Sequence, residues 1–147
     1  MVASWNMAGV LPPIWPGEGG HSPNRSPYLV KLTEVIEHFS SSPERIAILN
    51  GFLNYRKALH SANIVEGFQW LDGSFLENIE VLESRAPNDM DVVTFFHIPN
   101  GQTQKSLLSE NARLFDPELA KQTFLVDAYS FILGNPTEDR HVKQISY

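Results

Sequence analysis

The chain has 147 residues, a formal net charge of −6, no cysteine, and 42% apolar residues that include nine Phe, four Tyr and three Trp. That length suits one packed domain rather than two, the apolar share excludes disorder throughout, and the eleven scattered basic residues exclude an electrostatic footprint for long DNA. Lack of cysteine removes disulfides, thiolate nucleophiles and Cys-based zinc sites together, and fits a reducing compartment.

The N-terminal stretch "MVASWNMAGVLPPIWPGEGG" has no basic n-region and no long apolar run, and no other segment reaches membrane-spanning length. A cytoplasmic protein with a small substrate or a protein partner, and no membrane contact, is therefore expected. Residues 1–27 hold five of the ten prolines and four of the nine glycines, so they read as an irregular arm anchored by Val10, Leu11, Ile14 and Trp15. A single domain is expected over 28–147. "YLVKL" alternates Tyr28, Val30 and Leu32 and predicts a short strand, after which Thr33 caps a helix carrying Val35, Ile36 and Phe39; one longer helix is the alternative. Next, Ser42 caps and Pro43 opens a helix of about five turns with Ile46, Leu49, Leu53 and Leu59 on one face.

Phe68 to Leu71 form an apolar strand that stops at Asp72-Gly73. From Ser74 the pattern turns helical, with Phe75, Ile79 and Leu82 on its apolar face, and ends at Pro87. Asp89 to His97 read as the best strand, Ser106 to Leu114 and Pro117 to Gln122 as helical pieces, Phe124 to Leu133 as another buried strand, and the end as helical. The expected fold is α/β in the α+β sense: a mixed sheet with helices packed on one face and the arm lying across it.

A strand, Gly73-Ser74, then a helix is a device for holding phosphate, because glycine admits close backbone approach and a helix start offers free N–H groups and a positive dipole end. Asp89 and Asp91, one residue apart on a strand, project from the same side, close enough to bind one or two divalent cations. Two such charges repel unless a cation or proton relieves them. Asp127, inside the apolar run "FLVDAYSF", must face a cation, an arginine or a cleft. Blander alternatives stay open: both aspartates in a solvated turn, and Asp127 bridged to Arg56 or Arg85.

This arrangement resembles the polymerase-beta-type nucleotidyltransferase superfamily, particularly its small bacterial members. The resemblance maps Gly73 and Ser74 onto the phosphate-contacting Gly-Ser, Asp89 and Asp91 onto the metal-binding pair, and Asp127 onto the third carboxylate. It implies Mg²⁺ or Mn²⁺ as cofactor, ATP or another nucleoside triphosphate as substrate, and a hydroxyl acceptor, with protein and RNA as candidates. Asp127 would take the acceptor's proton, and Arg85 would pair a phosphate or cap the carboxylate cluster. The run "GFQWLDGSFLE...RAPNDMDVVTFF", with "RSPY" upstream and "VDAY" downstream, also resembles a family of bacterial proteins of unknown function over residues 9–130. The fourteen residues between Ser74 and Asp89 exceed the superfamily's usual spacing, and Asp72 stands where an apolar or aromatic residue is usual. Members of the closer family run on past the position of Tyr147 into an aromatic, Arg-rich segment, so the resemblance implies a truncated or divergent chain. The second functional expectation is therefore an inactive nucleotidyltransferase-like binding module within a toxin-antitoxin or phage-defence complex.

Other signals are weaker. "PGEGG" lacks the ending and setting of a P-loop, the five histidines show no zinc spacing, and there is no Gly-x-Ser-x-Gly elbow.

Overall fold

In the computed structural model, residues 1–134 are described. The expected helical end of the chain lies outside them. The elements are α1 (Leu32–Phe39), α2 (Pro43–Ser61), β1 (Gly67–Asp72), a 3₁₀ turn (Ser74–Leu76), α3 (Ile79–Leu82), β2 (Met90–Phe96), α4 (Gln104–Glu110), α5 (Ala112–Phe115), α6 (Pro117–Phe124) and β3 (Val126–Ile132). Among the described residues the sheet has three strands in the order β1-β2-β3, with β1 antiparallel and β3 parallel to β2. The fold is α+β.

Strand alternation decides what each sheet face carries. Met90, Val92 and Phe96 of β2 with Val126 and Ala128 of β3 join the core formed with Val35, Phe39, Ile48, Phe52, Tyr55 and Phe124 of the helices. The helices therefore cover that face. The alternate positions point the other way: Asp72, Trp70 and Phe68 on β1, Asp91, Val93 and Phe95 on β2, and Asp127, Tyr129 and Phe131 on β3.

Helix α2 starts as its sequence requires, with the Ser42 hydroxyl accepting the Arg45 N–H at 3.2 Å and Pro43 in the first turn. Its buried stripe is Arg45, Ile48, Leu49, Phe52, Tyr55 and Leu59. The expected stripe shared only Leu49 and Leu59 with it; Ile46 is exposed and Leu53 half-buried. The buried face is turned from the expected one: it takes in Ile48 and Phe52, and also Arg45 and Tyr55, whose polar groups keep them out of an aliphatic pattern. Arg45 is fully buried and donates to the Phe75 carbonyl (2.6 Å), the Glu77 carbonyl (2.7 Å) and both Glu80 oxygens (2.6 and 3.0 Å). It lies 5.3 Å from the Trp5 ring and 4.9 Å from the Phe75 ring, a cation–π setting on both sides.

Of the expected anchors of the arm, Leu11 packs against the core, and further residues hold the arm beside it. Ala3 is buried, the Trp5 indole N–H donates to the Leu76 carbonyl at 2.6 Å, and the Asn78 N–H donates to the Gly9 carbonyl at 2.7 Å. Trp5 also packs on His38 and Phe39, so the start of the arm leans on α1 and on the segment after β1. Leu11 does reach the core, whereas Trp15 meets Tyr28 edge-on and Ile14 bridges Arg25.

"YLVKL" is not a strand. Helix α1 begins at Leu32, and the Lys31 N–H donates to the Glu34 carboxylate at 2.7 Å, which does the capping expected of Thr33. The helix expected from Ser74 breaks into the 3₁₀ turn and α3, ending at Leu82, which is exposed. Helix α6 runs to Phe124 and stops where Leu125 turns left-handed (φ 56°), so β3 starts at Val126, two residues later than expected.

Candidate functional site

The site lies at one end of the open sheet face. Register places Asp72 directly opposite Asp91, and Asp91 directly beside Asp127, so three neighbouring strands present one aspartate each in a single row. Asp89 precedes β2 by one residue, and its charge acts on Asp91 as well. The Asp91 carboxyl is held above the usual carboxylate range, first by burial and then by the charges of Asp127, Asp89 and Asp72. Asp91 makes no side-chain hydrogen bond or ion pair among the described residues, which leaves its charge uncompensated by direct contact.

The turn after β1 closes over this row. Gly73 has φ 84° and ψ −171°, a combination that essentially only glycine adopts. A Cβ there would lie 2.7 Å from Asp91 Cγ, so conformation favours glycine and a larger residue would push the Asp91 carboxylate aside. The Gly73 N–H donates to Asp72 Oδ1 at 2.8 Å, and the Gly73 carbonyl accepts the Leu76 N–H at 3.1 Å as the 3₁₀ turn begins. Behind the turn, Arg45 binds the carbonyls of Phe75 and Glu77 and fixes the segment against α2. Ser74, half-buried, follows directly.

The structure thus brings together Asp89, Asp91, Asp127 and the Gly73-Ser74 turn. It also adds Asp72 to the same face. Arg85 is not brought into the cluster: it pairs with Glu83 at 2.7 Å and donates to the Ala86 carbonyl at 3.2 Å. Among the described residues, the cation beside the carboxylates is Lys121 of α6, whose Nζ lies 2.8 Å from Asp89 Oδ2. That bond, with the charges of Asp127 and Asp91, raises the Lys121 ammonium above its ordinary value. Neither Arg56 nor Arg85 bridges Asp127. Arg56 binds Gln69, while Asp127 Oδ2 accepts the Tyr129 hydroxyl at 3.1 Å, an interaction that pushes the phenol up.

Lys121 and Tyr129 are site residues that the motif pattern of the sequence does not mark. Tyr129 stands two residues after Asp127 on β3, so strand alternation was a usable signal. Lys121 had none, because its contact depends on α6 returning beside the start of β2, where the Met90 N–H donates to the Leu125 carbonyl at 3.1 Å.

An all-carboxylate donor set matches the oxygen preference of Mg²⁺ and Mn²⁺. Among the described residues, no three His, Asp or Glu side chains converge as a ready-made metal cage, and Asp89 is turned to Lys121. The donor chemistry and the charge on Asp91, which no direct contact balances, suit a divalent cation, whereas the arrangement of the described side chains does not form a cage for one.

Fold and site define an α+β domain with an acidic row and a glycine turn at one end of an open sheet face. The chain belongs to the DUF6932 family, a family of unknown function, whose model matches residues 3–145. Comparisons with curated proteins and with solved structures find no match.

Proposed function

We propose that the chain transfers a nucleotidyl group from a nucleoside triphosphate, ATP by resemblance, to a hydroxyl acceptor. The observation that carries this reading is the register of Asp91 with Asp127, with Asp89 at the same strand end and the Gly73 turn packed on the Asp91 carboxylate. In this reading Asp89, Asp91 and Asp127 hold Mg²⁺ or Mn²⁺, which supplies positive charge to the phosphoryl and leaving-group oxygens when bound. Gly73 and Ser74 receive the phosphates. The acceptor oxygen bonds to the α-phosphorus, the bond to the β-phosphate oxygen breaks, and pyrophosphate leaves. Asp127 accepts the acceptor's proton, and its hydrogen bond from Tyr129 orients the carboxylate for that role. Arg85 pairs with Glu83 and lies outside this site. We place this activity in the cytoplasm on the cysteine-free composition; among the described residues, no helix is long and apolar enough to cross a membrane.

A second reading, a non-catalytic module within a toxin-antitoxin or phage-defence complex, draws on two observations. Lys121 occupies Asp89, and Asp72 adds a charge that opposes a triphosphate.

Thermal unfolding with Mg²⁺ or Mn²⁺, with and without a non-hydrolysable ATP analogue, tests the site. A ligand at about 100 times its Kd stabilises by about 2.7 kcal/mol. The proposal expects stabilisation by metal and a further rise with the analogue, both lost in Asp91→Asn. An unchanged Tm in wild type under all conditions would sink both the metal site and the nucleotide reading.

A further inference from the structure

Beyond the acidic row, the same sheet face is aromatic. Phe68, Phe95 and Phe131 sit in register on the three strands and stack, with centroids 4.6 and 5.4 Å apart and planes inclined by 17° and 15°. Trp70 meets Phe95 edge-on at 5.0 Å. Phe95 is thereby the buried floor at 1% exposure, while Phe68 and Tyr129 remain 44% and 51% exposed. Between this ladder and the aspartates runs the row Trp70, Val93, Tyr129, again in register.

We infer that this row takes the planar base of a mononucleotide, with Trp70 and Tyr129 as walls and Val93 as floor. Three features of the face select that occupant. Its walls stand on the two strands flanking β2, hence about 9.6 Å apart at the backbone, and one ring placed between two aromatic rings at centroid separations of about 4.5–5 Å fills that width. Its area, three strands wide and two side-chain rows deep, is about 200 Å², against about 800 Å² per partner in a stable protein interface. Among the described residues, one end of it carries four aspartates and one lysine, on a chain of net charge −6, and that end repels a second copy of this chain, a nucleic-acid strand and an anionic lipid surface alike. A single neutral ring with its phosphates confined to the metal-binding end avoids that repulsion. Each wall and the floor stand two residues, about 6.8 Å, from Asp72, Asp91 or Asp127 on the same strand, a gap that a ribose spans. The direction of the phosphates rests on the nucleotidyl-transfer reading; the stacking site itself does not.

The test uses the full chain, with ATP, CTP and inorganic tripolyphosphate titrated in the presence of Mn²⁺, Mn²⁺ titrated alone, and adenosine titrated without metal while the Trp70 indole N–H resonance is followed. The expected result is that both nucleotides bind at least about tenfold tighter than tripolyphosphate, the scale of base–aromatic stacking. Tyr129→Ser and Trp70→Leu should erase that difference. Tyr129→Phe, which keeps the ring and drops only the hydroxyl bond to Asp127, should preserve it. Tyr129 is half exposed, so its variants remain informative if Trp70→Leu fails to fold. Equal binding of nucleotides and tripolyphosphate, or a folded Tyr129→Ser that keeps the full difference, overturns the inference. Should wild type bind neither Mn²⁺ nor tripolyphosphate, the nucleotidyl reading falls and adenosine decides: a Trp70 shift that Tyr129→Ser abolishes sustains the stacking site, and no shift overturns it.

Discussion

Replacing Asp91 with Asn removes one charge from the centre of the row while keeping the side chain's size. Asp91 has a register neighbour on each side, Asp72 and Asp127, and Asp89 two positions earlier in the chain. At about 5.5 Å and an effective dielectric of about 60 for a half-exposed site, each neighbouring charge costs about 1 kcal/mol. Lys121, in direct contact with Asp89, offsets nearly all of the Asp89 contribution. Screening over a Debye length of about 8 Å in physiological salt lowers the sum of about 2 kcal/mol to about 1 kcal/mol. Asp91→Asn should therefore raise the metal-free Tm at pH 7 by about 3 °C, the shift that about 1 kcal/mol produces in a domain of this size.

The pH dependence has a definite sign. The folded Asp91 carboxyl sits above its unfolded value, so the folded state binds this proton more tightly, and acidification through the raised folded pKa relieves the cost in wild type. The advantage of Asp91→Asn is thus full at neutral pH and closes as pH falls through the window between that raised value and the ordinary one of about 3.9. Differential scanning calorimetry in chelator, from pH 7 to pH 4, with low and high NaCl, measures it. A Tm advantage that is absent at pH 7 in low salt, or constant across the pH range, would refute the reasoning that these carboxylates repel.

Arg45→Met should cost about 3 kcal/mol in urea denaturation, because it leaves the Glu80 carboxylate and the Phe75 and Glu77 carbonyls without their buried partner; a loss below about 1 kcal/mol would contradict the proposed clamp. Gly73→Ala should destabilise by about 2 kcal/mol through its backbone conformation and displace Asp91, read as weakened Mn²⁺ binding by calorimetry. Unchanged Mn²⁺ affinity would separate the turn from the metal site. Lys121→Gln frees Asp89 and should tighten Mn²⁺ binding several-fold, whereas weaker binding would make Lys121 a supporting residue instead of a competitor. Asp72→Asn removes the charge facing Asp91 and should strengthen binding of a metal-free triphosphate; a marked loss would show that Asp72 takes part in holding the ligand.

Elements whose chemistry is local were legible in the sequence. Ser42-Pro43 and Asp116-Pro117 mark true helix starts, and the Asp116 carboxylate accepts the N–H groups of Glu118 and Leu119. The β-branched and aromatic run after Asp89 is the central strand. Asp91 lies on that strand, whereas Asp89 precedes it by one residue and turns its carboxylate to Lys121. What the sequence hid depends on three-dimensional neighbours. "YLVKL" has strand-like alternation, but Tyr28 spends its hydroxyl on the Pro12 carbonyl at 2.5 Å and, among the described residues, no strand pairs with the segment. Arg45 reads as a solvated charge until the carbonyls after the Gly73 turn are seen around it. Asp72 looked like a departure from a motif, and register makes it the third member of a row. Arg85, close to Asp89 in sequence, is drawn away by Glu83, a nearer carboxylate on the same exposed loop.

The most direct test of the nucleotidyl-transfer reading follows the α-phosphate. Wild type, Asp91→Asn and Asp127→Asn are incubated with Mg²⁺ and α-labelled nucleoside triphosphate, with total RNA and with the protein itself as acceptors, and covalent label and released pyrophosphate are both counted. The account predicts label transfer with stoichiometric pyrophosphate in wild type, and loss of both in either variant despite intact folding, because the two carboxylates hold the same site. Transfer that persists equally in both variants, or a wild type that binds metal and nucleotide yet never transfers label, would contradict it.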